Sequence, residues 1–161
     1  MTKARGQAAR MNDILVAYYS HSGTTKRVAE QIHRSVGGDL FEIKEASPYP
    51  RQYSAVVKQA QKEITRGYRP PLYGELPNIG GYDLIILGSP NWWSTIAPPV
   101  ATFLTQADFT GKTIAPFITH GGGGLNSTVD DIRALCPHSH VREGLDANRS
   151  GRLLEWLKSI T

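Results

Sequence analysis

Four hydroxyl side chains and a glycine follow the first apolar segment of the chain, and this combination is suited to holding a phosphate. The turn comprises Ser20, His21, Ser22, Gly23, Thr24 and Thr25. Free amides at the start of a helix, together with the helix dipole, form an anion site, and glycine lets the backbone turn closely around a phosphate. Neither G-x-x-x-x-G-K-[ST] nor G-x-G-x-x-G occurs there. The turn therefore predicts either a site for one terminal phosphate monoester or hydroxyls that merely cap their helix.

Two adjacent tryptophans follow a second apolar segment, DLIILGS. The residues in question are Pro90, Asn91, Trp92 and Trp93. Neighbouring side chains in a loop point in different directions, so the pair can provide a flat aromatic wall beside exposed backbone amides. Such a wall is suited to a planar heteroaromatic ligand. A hydrophobic lid or a subunit contact is the alternative interpretation.

Four consecutive glycines follow a third apolar segment, directly after Thr119 and His120. Glycine permits positive φ angles and exposes N–H groups without side-chain obstruction. Alone, this segment could equally be a flexible hinge. The three segments together indicate a mononucleotide site with a phosphate-binding turn, an aromatic wall and a third side lined by amides.

Strand and helix patterns alternate along the chain and place these segments together. The sequence predicts strands over 13–19, 40–44, 83–89, 112–119 and 141–145, and helices over 24–36, 54–66, 97–107, 126–135 and 151–160. Five β/α units predict a parallel sheet with helices on both faces. The apolar first and third strands are expected at the centre and the charged second strand at an edge. The three segments then share the rim at the carboxyl ends of the strands, where such sheets bind ligands.

The other reactive side chains are assigned structural roles. His21 could become protonated beside a bound phosphate, but we expect it to face solvent and to contribute only its amide. His120 could either contact the edge of a bound ring or cap its strand. We expect no acidic or cysteine side chain to join His138 and His140, so we predict no metal site. Cys136 is expected to be buried as a small apolar side chain at a helix end.

Length and composition are those of one globular domain. The chain has 161 residues, of which 40% are hydrophobic and 20% charged. No apolar stretch approaches the roughly 20 residues needed to cross a bilayer, so we expect no membrane association. The single cysteine is typical of a reducing compartment. These features predict a cytoplasmic protein.

The formal net charge of +4 is unevenly distributed. Lys3, Arg5 and Arg10 lie within the first eleven residues, which contain no acidic residue. We predict that residues 1–11 form a disordered basic tail or an upstream extension, and that 12–161 form one domain. That domain carries 15 basic and 14 acidic residues, so its net charge indicates no partner, and we expect no nucleic-acid binding.

The chain resembles the flavodoxin family from about Asp13 to its C-terminus. The first-loop signature of the family appears as Tyr18-x-Ser20-x-x-Gly23-x-Thr25, and the second loop resembles the subgroup with a PxWW motif. The resemblance implies a five-stranded doubly wound parallel sheet of order 2-1-3-4-5, the order for which flavodoxin is itself the standard example. The chain is too short for the insertion in the last strand that marks long-chain flavodoxins, so it is similar to the short-chain type.

The resemblance also implies a cofactor and a role for each loop. The cofactor would be flavin mononucleotide (FMN), and its phosphate would bind to Ser20, His21, Ser22, Gly23, Thr24 and Thr25. The isoalloxazine ring would be lined by Pro90, Asn91, Trp92 and Trp93. Its pyrimidine side would meet the amides of Thr119, Gly121 and Gly122.

A member of this family would carry low-potential electrons from a flavodoxin reductase to an acceptor enzyme, as a monomer and without a substrate of its own. Flavodoxins are usually strongly acidic, whereas this domain is close to neutral, so the usual docking partners are in doubt. The alternative is an FMN-dependent NAD(P)H oxidoreductase of quinones or other small acceptors. A phospho-receiver domain is excluded, because Ser89 and Pro90 stand where that fold needs an aspartate.

Overall fold

Strands and helices alternate along residues 13–161, which are the residues that the computed structural model describes. The strands are β1 (Ile14–Tyr19), β2 (Asp39–Ile43), β3 (Leu84–Trp92), β4 (Thr95–Ile96), β5 (Thr113–Thr119), β6 (His140–Val141) and β7 (Leu145–Asp146). The α-helices are α1 (Thr24–Val36), α2 (Tyr53–Arg66), α3 (Pro98–Gln106), α4 (Thr128–Leu135) and α5 (Leu153–Ile160). The predicted tail at residues 1–11 lies outside the described residues.

The sheet has the strand order β2-β1-β3-β5-β6. Its neighbouring strands are parallel, and β7 continues along β5 beyond β6. Strand β4 folds back antiparallel on the end of β3. With β6 and β7 counted as one interrupted strand and β4 left out, this is the order 2-1-3-4-5. The predicted doubly wound α/β fold is confirmed.

Apolar side chains on both faces of the central strands hold the two helix layers. Leu15 and Tyr19 of β1 belong to the core beneath α2, α3 and α4, whereas Val16 and Tyr18 belong to the core beneath α1 and α5. This alternation follows from the two-residue period of a strand. Trp156 of α5 is buried in the second core.

The fifth strand is interrupted opposite a proline. Backbone N–H groups of Arg142 and Ala147 donate to the carbonyls of Ile114 and Ile118, so these alternate residues of β5 face β6 and β7. Pro116 lies between the two acceptors and has no N–H to donate on that side. The prediction of one continuous strand over 141–145 is therefore wrong, since the strand forms two short pieces around residues 142–144.

The prediction that the chain forms a loop after the DLIILGS segment is also wrong. Strand β3 continues to Trp92, and Trp93 and Ser94 form the turn of a hairpin into β4. Helix α1 spans 24–36, as predicted, and the other helices begin or end within a few residues of their predicted limits. Within residues 13–161, no helix combines the length and apolar character required to span a bilayer. The predicted cytoplasmic location stays a prediction.

Candidate functional site

The turn between β1 and α1 presents an open helix N-terminus. Gly23 has a φ angle of 102°, which only glycine adopts without strain, and its N–H donates to Ser20 Oγ at 3.0 Å. The helix's first backbone bond runs from Arg27 N to Gly23 O at 3.1 Å, so the amides before Arg27 lack a helical acceptor. Among the described residues no side chain caps α1, and its first turn holds no acid. The hydroxyls therefore do not serve as helix caps, which was the alternative interpretation.

The hydroxyls of this turn lie partly on its surface and partly beneath it. Ser22 Oγ and Thr24 Oγ1 are exposed and lie 3.4 Å apart. Thr25 Oγ1 is buried and lies 2.8 Å from the hydroxyl of Thr119 at the end of β5. This buried contact fixes the first turn against the end of the strand that precedes the glycine loop.

The hairpin between β3 and β4 carries the second tryptophan on a strained turn. Trp93 and Ser94 have φ angles of 56° and 71°. These angles cost conformational free energy in residues other than glycine. Two contacts hold the turn in place. Trp93 Nε1 donates to the carbonyl of Val57 in α2 at 2.9 Å, and the backbone N–H of Ser127 donates to the carbonyl of Ser94 at 3.1 Å.

Trp92 is the centre of an aromatic cluster beneath the cleft. Its ring makes edge-to-face contacts with Tyr19, Tyr49 and His21 at centroid distances of 5.7, 5.4 and 6.1 Å. Edge-to-face pairs at these distances are favourable and fix ring orientation. His21 is also fixed, because its Nε2 donates to the carbonyl of Pro50 at 3.1 Å. The expectation that His21 faces solvent is therefore wrong.

Two buried tyrosines of this cluster donate to carboxylates. Tyr19 Oη donates to Glu45 at 2.6 Å, and Tyr49 Oη donates to Glu63 of α2 at 2.5 Å. Burial, followed by these hydrogen bonds to carboxylates, raises the pKa of both phenols. Both tyrosines therefore remain neutral donors, and the bond from Tyr49 anchors α2 against the core.

Asn91 contributes an unsatisfied acceptor to the site. Its Nδ2 donates to Gly124 O and to Asn126 Oδ1, both at 2.7 Å. Since both partners are acceptors, the amide orientation is fixed, and a flip would bring three oxygens together. Asn91 Oδ1 is buried and has no hydrogen-bond partner among the described residues. A ligand with an N–H group at this position would satisfy it.

The glycine loop after β5 is organised by His120. The Nε2 atom of His120 donates to Asp146 at 2.7 Å, and its Nδ1 accepts from the amide of Gly122 at 2.9 Å. Asn148 adds a second connection, because its side chain bonds to both the N–H and the carbonyl of His120. His120 thus holds the strand end and the loop together, and the amide of Gly122 already has an acceptor.

The first turn, the hairpin and α2 enclose a cleft of about 410 Å³. Among the residues predicted to form the site, those that line it are His21, Ser22, Thr24, Thr25, Pro90, Asn91, Trp92, Trp93 and Thr119. Ser20 and Gly23 do not line the cleft, and the hydrogen bond from Gly23 N–H to Ser20 Oγ stabilises the turn. Gly121 and Gly122 are exposed and lie outside the lining, so the role predicted for their amides stays a prediction.

The comparison with known proteins agrees with this geometry. A family model described as Flavodoxin matches residues 13–160. The chain belongs to the flavodoxin family. The hydroxyl-rich turn and the Trp92–Trp93 hairpin both lie within the matched residues.

Several solved structures are similar to nearly the whole chain. A protein from Bacteroides eggerthii DSM 20697, provisionally named a flavoprotein, is 33% identical with a TM-score of 0.83, over 92% of this chain and 97% of that one. A flavoprotein from Lactobacillus acidophilus NCFM, solved in complex with FMN, is 25% identical with a TM-score of 0.76, over 90% and 98%. A further provisionally named flavoprotein, from Bacteroides uniformis ATCC 8492, is 27% identical with a TM-score of 0.72, over 89% and 98%.

One wall of the cleft was not predicted from the sequence. Tyr53, Val56, Val57 and Ala60 of α2 line the cleft together with the hydroxyl-rich turn. Their apolar spacing predicts a helix that packs on the sheet, and Val56 and Ala60 are indeed buried. Only the exposed Tyr53 at the start of the helix could have indicated a ligand wall, since 78% of its surface is accessible.

A second cavity of about 410 Å³ lies between the fifth strand and α5. Its lining includes Arg149, Arg152, Glu143 and Glu155, but none of the residues predicted to bind the cofactor. The start of α5 reaches this cavity, but Glu155 places a carboxylate in that first turn. Among the described residues no aromatic pair lines the cavity, so the cleft at the hydroxyl turn is the candidate site. Within residues 13–161 there is also no group of three or more His, Cys, Asp or Glu side chains that could hold a metal.

Proposed function

We propose that this chain binds FMN in the cleft and carries single electrons between a reductase and an acceptor enzyme. The observation that carries the proposal is the convergence of an uncapped helix N-terminus, two tryptophans and an unsatisfied acceptor on one cleft. FMN, when bound, supplies the redox chemistry. The protein supplies binding, orientation and electrostatics.

The residues of the first turn fit a phosphate monoester. The amides before Arg27 have no helical acceptor, and the first turn of α1 contains no carboxylate to repel an anion. Ser22 and Thr24 add exposed hydroxyl donors. A helix N-terminus with neutral donors stabilises a dianion without a side-chain cation.

The part of the cleft formed by the tryptophans, Asn91 and α2 fits a planar ring with polar edges. Trp92, Trp93 and the apolar residues of α2 provide flat walls. Asn91 Oδ1 is a buried acceptor that lacks a donor, and the isoalloxazine ring carries an N–H group. The cleft volume of about 410 Å³ also lies within the range of roughly 300–1,000 Å³ that is usual for small-molecule sites.

The charge around the cleft supports a low reduction potential. No lysine or arginine side chain is among the residues that line it. Negative charge added to the cleft on reduction therefore gains no direct cationic partner, which disfavours the added charge. The tryptophan walls also limit the access of water, which strengthens this effect.

We propose further that the protein is a monomer without a substrate of its own. Partner proteins would reduce and oxidise its flavin. The exposure of two aromatic side chains supports this proposal. Trp93 at the cleft rim is 49% exposed and Tyr53 is 78% exposed, so a partner can approach the cleft.

Titration of the flavin-free chain with FMN and with riboflavin tests the binding site. Since riboflavin lacks the phosphate, we expect FMN to bind at least about tenfold more tightly, a difference of about 1.4 kcal/mol. Gly23→Ala should remove most of this preference, because alanine disfavours the φ angle of 102°. Gly81→Ala is the matched control, since Gly81 has an ordinary φ angle and open space around its Cβ position. Equal affinities for the two ligands would contradict the phosphate site.

Anaerobic addition of NADPH to the FMN-loaded protein tests the carrier role. For a carrier, the flavin absorbance persists until a separate reductase is added, and then disappears at a rate set by the reductase. Rapid bleaching by NADPH alone would instead assign the chain to the FMN-dependent oxidoreductases. Failure to bind FMN at all would refute both functions.

A further inference from the structure

The near-neutral net charge of the domain conceals a strongly asymmetric distribution. Between Arg51 and Arg69 the chain has five basic residues and one acidic residue. The other residues of 13–161 include ten basic and thirteen acidic residues. One segment of nineteen residues therefore carries a formal charge of +4, and the remainder carries −3.

The five cations form an exposed ridge along the outer side of α2. Lys58, Lys62 and Arg66 are spaced four residues apart and are exposed, so they lie in one row about 12 Å long. Arg51 and Arg69 extend this row beyond each end of the helix and are also exposed. We call these five residues the basic ridge.

The basic ridge is not neutralised by the protein itself. None of its members lies within 4.0 Å of a carboxylate among the described residues. The single acid of the segment, Glu63, is buried and accepts hydrogen bonds from Tyr49 and Gln59. Residues 1–12 contain no acidic side chain. The ridge therefore presents uncompensated positive charge to solvent.

The basic ridge and the cleft share one helix. Val57 and Ala60 of α2 line the cleft, while Lys58 and Lys62 lie on the outer side. The ridge thus lies within about one helix diameter, roughly 10 Å, of the cleft wall. The exposed ring of Trp93 contacts the carbonyl of Val57 between them.

We infer that the basic ridge is the docking surface for a redox partner whose own cofactor is surrounded by acidic side chains. This inference rests on the proposed function, because it assumes electron transfer through the cleft. Complementary charge raises the rate of encounter and orients the partner. The polarity is the reverse of an acidic carrier docking onto a basic partner.

A protein partner fits the ridge better than a nucleic acid does. The row within α2 covers only about 12 Å, which is short for a surface that follows a phosphate backbone. Of the exposed aromatic residues beside it, Tyr53 and Trp93 line the cleft rim, and Tyr68 lies between Arg66 and Arg69. A compact acidic patch that contacts both the ridge and the rim would lie beside the bound flavin. Binding of duplex DNA to the ridge is the competing outcome that the test can reveal.

The test compares an acidic with a basic electron acceptor. FMN-loaded protein, reduced with dithionite, is mixed with cytochrome b5, whose haem edge is acidic, or with cytochrome c, whose haem edge is basic. We expect the second-order rate with cytochrome b5 to fall about tenfold or more between ionic strengths of about 0.01 M and 1 M. The rate with cytochrome c should not fall. The flavin-free chain should also bind oxidised cytochrome b5 more weakly as salt is added.

Two triple variants with equal net charge separate the ridge from the total charge. Lys58→Gln, Lys62→Gln and Arg66→Gln together should lower the low-salt rate with cytochrome b5 by about tenfold. The control combines Arg34→Gln, Arg152→Gln and Lys158→Gln, which are exposed positions on the helices of the other sheet face, and it should retain the rate. Both variants keep residues 1–12, so any contribution of these residues is the same.

The outcomes distinguish the inference from the proposed function. A salt-dependent preference for cytochrome c, equal behaviour of the two variants, or duplex DNA binding that only the ridge variant loses would overturn the inference. Absence of FMN binding, or of electron transfer to either cytochrome at any salt concentration, would refute the proposed function. In that case, the salt dependence of cytochrome b5 binding to the flavin-free chain still shows whether the ridge binds acidic partners.

Discussion

Asn91 connects two of the loops that form the cleft and leaves one of its own atoms unsatisfied. Its Nδ2 bridges Gly124 O and Asn126 Oδ1, which orients Oδ1 away from both oxygens. A buried acceptor without a donor costs about 1–3 kcal/mol. This cost is recovered when a ligand N–H donates a hydrogen bond to Oδ1. The site therefore favours a ring that carries such a group.

Asn91→Ala should weaken the binding of the ring rather than that of the phosphate. We expect the dissociation constants of FMN and of riboflavin to rise by the same factor, about tenfold, since one hydrogen bond is lost in both complexes. Fluorescence titration with both ligands measures this factor. Asn78→Ala is the control, because Asn78 is exposed and bonds only within its own turn. A loss confined to FMN would contradict the assignment of Asn91 to the ring.

At the scale of elements, the hairpin between β3 and β4 stores backbone strain beside the cleft. The left-handed angles of Trp93 and Ser94 match the mirror-image turn that joins tightly paired strands, where glycine is usual. Contacts from Trp93 to α2 and from Ser94 to Ser127 maintain this geometry.

Ser94→Gly should therefore stabilise the protein. Removing a Cβ from a left-handed residue gains about 1–2 kcal/mol, and the greater freedom of glycine in the unfolded chain offsets about 0.4–1 kcal/mol of it. We expect a net increase of about 0.5–1 kcal/mol in the free energy of unfolding, measured by urea denaturation. Ser47→Gly, at an exposed position whose φ angle is not positive, should instead be neutral or slightly destabilising.

The sequence predicted the local elements better than their contacts. Gly23 and the paired glycines at 37 and 38 mark the limits of α1, and those limits are confirmed. The hairpin was missed because residues 89–96 lack the Asn-Gly or Asp-Gly signal of a tight turn. The interruption of the fifth strand depends on which side of β5 Pro116 faces, and that is decided by strand pairing.

The wall formed by α2 also could not be predicted, because its apolar period is that of any helix packed on a sheet. Which of its residues face a cleft depends on long-range contacts such as those between Trp93 and Val57 and between Tyr49 and Glu63. By contrast, the hydroxyl-rich turn and the tryptophans lie at strand ends, and a parallel sheet gathers the carboxyl ends of its strands on one rim.

At the scale of the whole molecule, burial of ionisable side chains predicts a loss of stability in alkaline solution. Burial raises the pKa of the Cys136 thiol from 9.0 to about 11. Burial, followed by the charges of Glu42 and Glu30, raises the pKa of Tyr18 to about 12. Burial and a hydrogen bond to Asp39 raise the pKa of Tyr82 to about 12. In each case the folded state favours the neutral form.

The free energy of unfolding should therefore fall as the pH rises above about 9, because the unfolded chain releases protons that the folded chain retains. The stabilising contribution of Cys136 is complete below its unfolded pKa and is lost as the pH rises through about 11. Urea denaturation at several pH values measures the slope, and Cys136→Ala should reduce it between pH 9 and 11. Identical slopes for both proteins would contradict a buried neutral thiol.

The charge asymmetry also belongs to the whole molecule. The sequence total for the domain is close to neutral and indicated no partner. The structure shows that the basic residues of one segment are exposed together on α2, whereas its only acid, Glu63, is buried. The net charge is a sum over the whole surface, whereas a docking partner contacts only one part of that surface.

The interruption of the fifth strand makes this protein a promising scaffold for engineering. Arg142 and Glu143 are exposed, and opposite them Pro116 has no N–H, so a peptide inserted between them would break no donor bond from β5. Gly144 itself must be retained, because a Cβ there would lie 2.6 Å from Val129. A binding loop placed between Arg142 and Glu143 would lie at the sheet edge, away from the basic ridge, and could add a new recognition module to this fold.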